Sequence, residues 1–154
     1  MSRKKCILLI TALFLVFSVS TSWSEPRIPS KPFQGMSGLK RAIDLQKETG
    51  LPIILWSTWN TCPNCIETAK WFLQRDVRDK LRNYPKVILY SKGNDDEVAE
   101  SKRMGFKGGN FYIIHDYNKK SFKAFWAWEE KSYVIKNDLL TQMEKELNSP
   151  VGSK

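Results

Sequence analysis

The chain has 154 residues, which is the length of one domain, and 42% of them are hydrophobic, which is enough to build a core. This composition excludes a disordered or collagen-like chain. The formal net charge is +9, but the lysines and arginines are scattered and no nucleic-acid-binding motif is present, so the sequence predicts no nucleic-acid partner. A basic surface still favours acidic partners or anionic membranes, and a charge-driven binding protein remains an alternative.

The first 24 residues carry the pattern of a secretory signal peptide. A positive segment, Met1–Lys5, precedes an apolar stretch, Cys6–Val19, and small residues precede the expected cleavage after Ser24. The apolar stretch is shorter than the roughly 20 residues that a spanning helix needs, which favours cleavage over an uncleaved anchor. We therefore predict a signal peptide over residues 1–24 and a periplasmic or secreted mature chain, with no membrane attachment after cleavage.

The mature chain is divided into three predicted parts. Residues 25–35 are rich in proline and are expected to form a flexible leader. Residues 36–148 are expected to form a single domain, and residues 149–154 a C-terminal tail.

The first half of this domain alternates helical and strand patterns. A helical stripe of apolar residues stops at Gly50, a typical helix C-cap, and the apolar run 52–56 then predicts a buried strand. A second helix is predicted after residue 65. Its apolar stripe is formed by Ile66, Ala69, Leu73 and Val77. Tyr84-Pro85 is expected to end it.

The second half continues with a buried strand over 86–90, a short helix ending at Gly105 and a strand over 111–115. A hairpin then leads to a fourth strand over 121–128, with Phe122, Ala124, Trp126 and Trp128 on one face. A final amphipathic helix ends near Leu147. This order predicts a mixed sheet of about four strands with helices on both faces.

Two cysteines remain after signal cleavage, Cys62 and Cys65, and they have the spacing C-x-x-C. An exported protein meets an oxidising compartment, where such a pair can form a disulfide. The pair follows a predicted buried strand and precedes a predicted amphipathic helix. A C-x-x-C pair in this context is typical of a redox motif.

The segment Trp59-Asn60-Thr61-Cys62-Pro63-Asn64-Cys65, placed between that strand and that helix, resembles the thioredoxin superfamily. The resemblance covers residues 35–147. The flanking sequences 50–55 and 75–81 are most similar to the C-terminal thioredoxin-like domain of bacterial thiol:disulfide interchange proteins. The resemblance implies an α/β, thioredoxin-like fold and thiol:disulfide oxidoreductase activity.

The resemblance also assigns roles around the cysteine pair. Free N–H groups at a helix N-terminus stabilise a thiolate, so Cys62 is expected to be the nucleophile and Cys65 the resolving thiol. Pro63 suits the first helical turn because its missing N–H costs nothing there. Trp59, Pro63 and Asn64 are expected to lie near the site. The chemistry requires neither an organic cofactor nor a metal.

The sequence departs from the superfamily at two positions. Asn110 stands where these proteins place a cis-proline opposite the cysteines, so Gly109 and Asn110 are the expected substrate loop, with a trans bond favoured. Trp56 stands where many thioredoxins bury an acid, six residues before the first cysteine. Glu67 is near in sequence but is expected to lie on the surface.

Other interpretations of the pair stay open. A structural disulfide, copper(I) carriage or part of a zinc site would each use two cysteines, although His115 is the only histidine and zinc needs about four ligands. The preferred interpretation is an exported oxidoreductase whose partners are cysteine-containing exported proteins and a thiol/disulfide electron-exchange protein. A monomer is expected. The alternative function is a non-enzymatic binding or assembly module.

Overall fold

The structure is a computed structural model that describes residues 26–59, 62–130 and 134–149. The predicted signal peptide, Asn60 and Thr61 of the cysteine motif, and residues 150–154 of the predicted tail lie outside the described residues. Within the described ranges, no helix is long and apolar enough to cross a membrane.

Five strands and five helices follow one another along the described chain. In chain order they are β1 Phe33–Gln34, α1 Gly35–Thr49, β2 Ile53–Thr58, α2 Pro63–Phe72, α3 Arg75–Lys80, β3 Lys86–Tyr90, α4 Asp95–Met104, β4 Asn110–Asp116, β5 Ser121–Trp126 and α5 Leu139–Leu147.

The strands form one mixed sheet in the order β1-β3-β2-β4-β5. Strands β1, β3 and β2 are parallel, whereas β4 is antiparallel to β2 and β5 is antiparallel to β4. The predicted mixed sheet with flanking helices is confirmed. The sheet has one strand more than the four predicted, because Phe33 and Gln34, inside the segment predicted as a leader, pair with β3.

The central strand β2 separates two apolar cores, one on each face of the sheet. Every residue of β2 is buried, and alternate side chains point to opposite faces. Ile53 and Leu55 pack with residues of α1 and α4, whereas Ile54 and Trp56 pack with residues of α2, α3 and α5. The cysteine motif begins where β2 ends, so it is supported by the most buried strand of the domain.

Two glycines end helices as the sequence predicts. Gly50 follows α1 with a φ of 71°, and Gly105 follows α4 with a φ of 78°. Both angles lie in the left-handed region, where glycine carries no Cβ penalty.

The predicted single helix after the cysteines is wrong in two respects. It is interrupted at Gln74, whose ψ of 148° is extended, so α2 and α3 are separate helices. The buried face of α2 is also different, because Ile66 and Leu73 are 53% and 47% exposed while Thr68 is fully buried. The Thr68 hydroxyl forms hydrogen bonds inside the core with Trp128 and with the Asn64 carbonyl.

Lys86 begins β3 as a buried ammonium group. Its residue is only 2% exposed, and Nζ donates hydrogen bonds to the carbonyl oxygens of Leu81 at 3.0 Å and Tyr84 at 2.9 Å. Burial lowers the pKa of Lys86 from 10.5 to about 8. The carbonyl acceptors oppose this shift because they stabilise the charged form.

This burial predicts how stability depends on pH. Between pH 8 and pH 10.5 the unfolded chain holds a proton on Lys86 that the folded chain has lost, so stability should rise with pH through this window. Relative to a Lys86→Met variant, we expect the free energy of unfolding of the wild type to increase by about 2 kcal/mol across it. Urea unfolding at several pH values measures this difference, and parallel curves for the two proteins would contradict it. Ionisable groups that the two proteins share contribute equally to both free energies of unfolding, so they cancel in the difference.

Candidate redox site

The cysteine motif lies at the junction between β2 and the first turn of α2. Cys62 is the N-cap of α2, with an extended backbone (φ −94°, ψ 115°), and Pro63 occupies the first helical turn. Proline fits this position because its fixed φ is compatible with the helix and no N–H group is lost from the hydrogen-bond ladder. The local sequence therefore places the first cysteine outside the helix and the second inside it.

The two cysteines are free thiols with different exposure. The backbone N–H of Cys65 donates a hydrogen bond to Cys62 Sγ at 3.2 Å. Cys62 is half-buried, whereas Cys65 is 2% exposed and belongs to the core below α2. A sulfur that accepts an N–H at a helix N-terminus is placed to carry negative charge, and a partner thiol lies three residues further along the helix.

The environment of Cys65 works against its ionisation. Burial is the largest influence that raises the pKa of the Cys65 thiol, and its hydrogen bond with Cys62 adds to the increase. The Thr58 side chain and the Trp59 backbone oppose it, because both form hydrogen bonds that lower the pKa of Cys65. Thr58 was not among the residues predicted from the sequence. The only feature of the sequence that could have singled out Thr58 is its position, four residues before Cys62 at the end of a buried strand.

The predicted substrate loop is anchored beside the end of β2. Asn110 pairs with Ser57 in the antiparallel register, and the Gly109 N–H donates to the Ser57 carbonyl at 2.8 Å. Gly109 has a φ of 86°, which favours glycine, and the bond before Asn110 is trans like every other described peptide bond. The Asn110 side chain donates to the Lys107 carbonyl at 3.3 Å, so it turns toward its own loop.

Trp59 connects this loop to the cysteine motif. Its indole lies so close to Gly108 that a Cβ added there would overlap the ring. The ammonium of Lys92 lies 5.1 Å from the centre of the same indole, in a cation–π contact. Trp59 therefore lies beside Gly108 and requires a glycine at that position.

A hydrogen-bond chain through the core reaches Asn64, the residue before Cys65. Trp128 Nε1 donates to Thr68 Oγ1 at 2.9 Å, and the Thr68 hydroxyl donates to the Asn64 carbonyl at 2.8 Å. Asn64 is thereby linked through the core to Trp128, which lies two residues after the end of β5. The sequence could not show this link, because Thr68 and Trp128 are 60 residues apart.

Other candidate residues lie away from the cysteine chemistry. Trp56 is fully buried, with its ring 4.5 Å from that of Phe111, so an aromatic core residue fills the position of the missing acid. Glu67 is exposed and pairs with Lys70, which confirms its surface position.

His115 lies in β4, where its Nε2 is 2.9 Å from a Glu146 carboxylate oxygen. In the described part of the chain, no group of three or more His, Cys, Asp or Glu residues could hold a metal ion.

Comparison with known proteins identifies the fold. The crystal structure of the C-terminal domain of Neisseria meningitidis DsbD in its oxidised form superposes with a TM-score of 0.53 and 19% identity, covering 75% of this chain and 98% of that domain. A thioredoxin from Thermus thermophilus superposes with a TM-score of 0.50 and 12% identity, covering 77% of this chain and 85% of that protein. No protein-family model and no curated protein sequence matches the chain.

The chain therefore has a thioredoxin fold. The likeness in fold extends over almost the whole length of the Neisseria meningitidis DsbD domain.

Proposed function

We propose that this protein is an exported thiol:disulfide oxidoreductase that acts on cysteines of other exported proteins through Cys62 and Cys65. One observation carries the proposal: Cys62 caps α2 and accepts the Cys65 N–H at 3.2 Å, while Cys65 lies buried below it. This asymmetry, on a thioredoxin fold, suits a nucleophile followed by a resolving thiol.

The reaction consists of two exchanges. The Cys62 thiolate attacks a disulfide sulfur of the partner, a bond forms between the two sulfurs, and the other partner sulfur leaves as a thiolate that takes up a proton. The Cys65 thiolate then attacks Cys62 Sγ and releases the second partner thiolate, which is also protonated. Two electrons pass from the two cysteines to the partner disulfide. The reverse sequence oxidises a partner dithiol.

The partners and the compartment follow from the same proposal. The signal-peptide pattern over residues 1–24 supports export to the periplasm or beyond, where protein disulfides are common. A second thiol/disulfide protein must then supply or accept electrons, because each turnover changes the oxidation state of Cys62 and Cys65.

A non-enzymatic binding or assembly module is the second candidate. The observation that favours it is the loop at Gly108–Asn110, which lacks proline and is covered at Gly108 by the Trp59 indole. A covered loop offers less backbone to a partner strand. In this case the cysteines would contribute structure rather than turnover.

A Cys62→Ser variant separates the two candidates. With dithiothreitol as electron donor and an oxidised protein as substrate, the wild type should reduce the substrate catalytically, and Cys62→Ser should lose nearly all of that rate. Unchanged circular dichroism would show that the fold is intact. Equal and negligible rates for both proteins would contradict the enzymatic proposal and favour the module.

A further inference from the structure

A cavity opens beside the buried sulfur of Cys65. It has a volume of about 280 Å³ and lies between the ends of β2 and β3 and the first turns of α2. Its lining residues are Thr58, Trp59, Cys65, Ile66, Ala69, Ile88 and Tyr90. A space of this size with a hydroxyl and a thiol on its wall is roomy and polar enough to hold water.

The proposed reaction requires Cys65 to lose its proton, and no carboxylate lines this cavity in the described part of the chain. Glu67, the nearest acid in sequence, is exposed and pairs with Lys70 at 2.6 Å. Besides Cys65, Tyr90 at the end of β3 is the titratable residue that lines the cavity. Cys62 lies next to Cys65 and accepts its N–H, and the Glu97 carboxylate accepts the Tyr90 N–H at 2.6 Å. The Lys92 ammonium lies 5.1 Å from the centre of the Trp59 ring.

Thr58 is held in position to act on Cys65. It is 4% exposed, and its carbonyl accepts hydrogen bonds from the Ser91 N–H at 2.9 Å and the Ser91 hydroxyl at 3.1 Å. These bonds join the ends of β2 and β3. The Thr58 side chain lines the cavity together with Cys65, and it lowers the pKa of the Cys65 thiol.

We infer that Thr58 is a positioning residue for the resolving step: its hydroxyl donates a hydrogen bond to the Cys65 thiolate, and water in the adjoining cavity accepts the Cys65 proton. This inference rests on the proposed oxidoreductase function. The Thr58 hydroxyl and the cavity water together take the place of a buried carboxylate. The thiolate formed in this way attacks Cys62 Sγ, the bond from Cys62 to the partner sulfur breaks, and the partner leaves as a thiolate.

A small aromatic disulfide, dithiobis(nitrobenzoate), resolves the two steps in a stopped-flow experiment with the reduced full-length mature protein. Attack by Cys62 releases one coloured thiolate, and attack by Cys65 releases the second. We expect Thr58→Val to leave the first phase unchanged and to move the pH midpoint of the second phase up by about one unit. At pH 7 the second phase should slow about three- to fivefold, because the smaller thiolate fraction is partly offset by greater nucleophilicity.

Matched variants separate the hydroxyl from general packing. Thr58→Ser keeps the hydroxyl and should restore the wild-type midpoint, whereas Thr58→Ala lacks it and should repeat the effect of Thr58→Val. Ala69→Leu fills the cavity but keeps the Thr58 hydroxyl, and it should also raise the pH midpoint of the second phase.

Several results would overturn the inference. An unchanged second phase in both Thr58→Val and Thr58→Ala would remove the role of the hydroxyl, as would equal slowing of both phases. An unchanged midpoint in Ala69→Leu would remove the role of the cavity water. A wild-type protein that shows no second phase would instead overturn the proposed function, and this outcome is separate because it does not depend on Thr58.

Discussion

Replacing Cys65 with serine should trap the protein as a mixed disulfide. In this variant Cys62 stays at the N-terminus of α2 and remains partly exposed, so its thiolate can still attack a partner disulfide. The resolving thiol is missing, so the bond between Cys62 and the partner persists and most of the protein should accumulate as the adduct. Non-reducing electrophoresis and mass spectrometry of the protein incubated with an oxidised protein substrate measure the adduct.

The control for this experiment is a Cys62→Ser, Cys65→Ser double variant, which should form no adduct. Reducing agent should release the partner intact. An adduct that forms through Cys65 in Cys62→Ser, and not through Cys62 in Cys65→Ser, would contradict the order of the two thiols. The thermal unfolding midpoint of each variant shows whether the serine is tolerated in the core.

Phe111→Ala should be among the most destabilising substitutions in the described chain. Phe111 is fully buried in β4, and its ring centroid lies 4.5 Å from that of Trp56, 5.2 Å from that of Phe72 and 5.6 Å from that of Trp71. It thus joins the central strand to α2, the helix that follows Cys62 and contains Cys65. Truncation of a buried phenylalanine typically costs 3–5 kcal/mol, so we expect about 4 kcal/mol here.

Two further variants make this prediction specific. Phe111→Leu keeps most of the volume and should cost less than about 1.5 kcal/mol. Phe122→Ala removes a half-buried ring on the opposite face, which contacts Phe106 and Tyr112, and should cost about 2 kcal/mol. Urea unfolding measures all three. A loss of less than about 1 kcal/mol for Phe111→Ala would show that this aromatic cluster does not hold α2 on the sheet.

The elements that the sequence predicts well are those with strong local signals. The apolar run at 86–90 coincides with β3, and Gly50 and Gly105 end helices because their backbone angles favour glycine. The position of the C-x-x-C pair after a strand and at the start of a helix is also predicted well, because it depends only on the sequence on either side of Cys62.

The buried face of α2 could not be predicted from apolar spacing. The stripe through Ile66 and Leu73 suggests one face, but Thr68 takes a core position because its hydroxyl bonds Trp128 and the Asn64 carbonyl. A polar residue whose hydrogen bonds are satisfied by a distant partner is hidden from a pattern that counts only hydrophobicity.

The strand predicted over 121–128 is two residues longer than β5. Trp126 and Trp128 contact each other, with ring centroids 4.9 Å apart, but Trp126 is 41% exposed whereas Trp128 is buried. The strand ends at Trp126, and the Ala127 N–H then bonds the Gly109 carbonyl at 3.3 Å. The alternation stops where the chain leaves the sheet, and the sequence has no marker for that point.

The candidate site divides in the same way. Cys62, Cys65 and Trp59 can be singled out from the motif, whereas Thr58 and Gly108 become visible only when the strand ends are brought together. The Thr58–Cys65 contact depends on how α2 packs over the end of β2. The fit of Gly108 under Trp59 depends on the pairing of β2 with β4.

The reduction potential of the Cys62–Cys65 pair tests the central claim most directly. It can be measured by equilibrating the mature protein, residues 25–154, with glutathione redox buffers. A redox-active pair should titrate reversibly between about −270 mV, as in a thioredoxin-like reductase, and about −120 mV, as in a strong oxidant. A disulfide that resists reduction to well below about −300 mV would be structural, and the proposal that Cys62 and Cys65 exchange electrons with partner proteins would then be wrong.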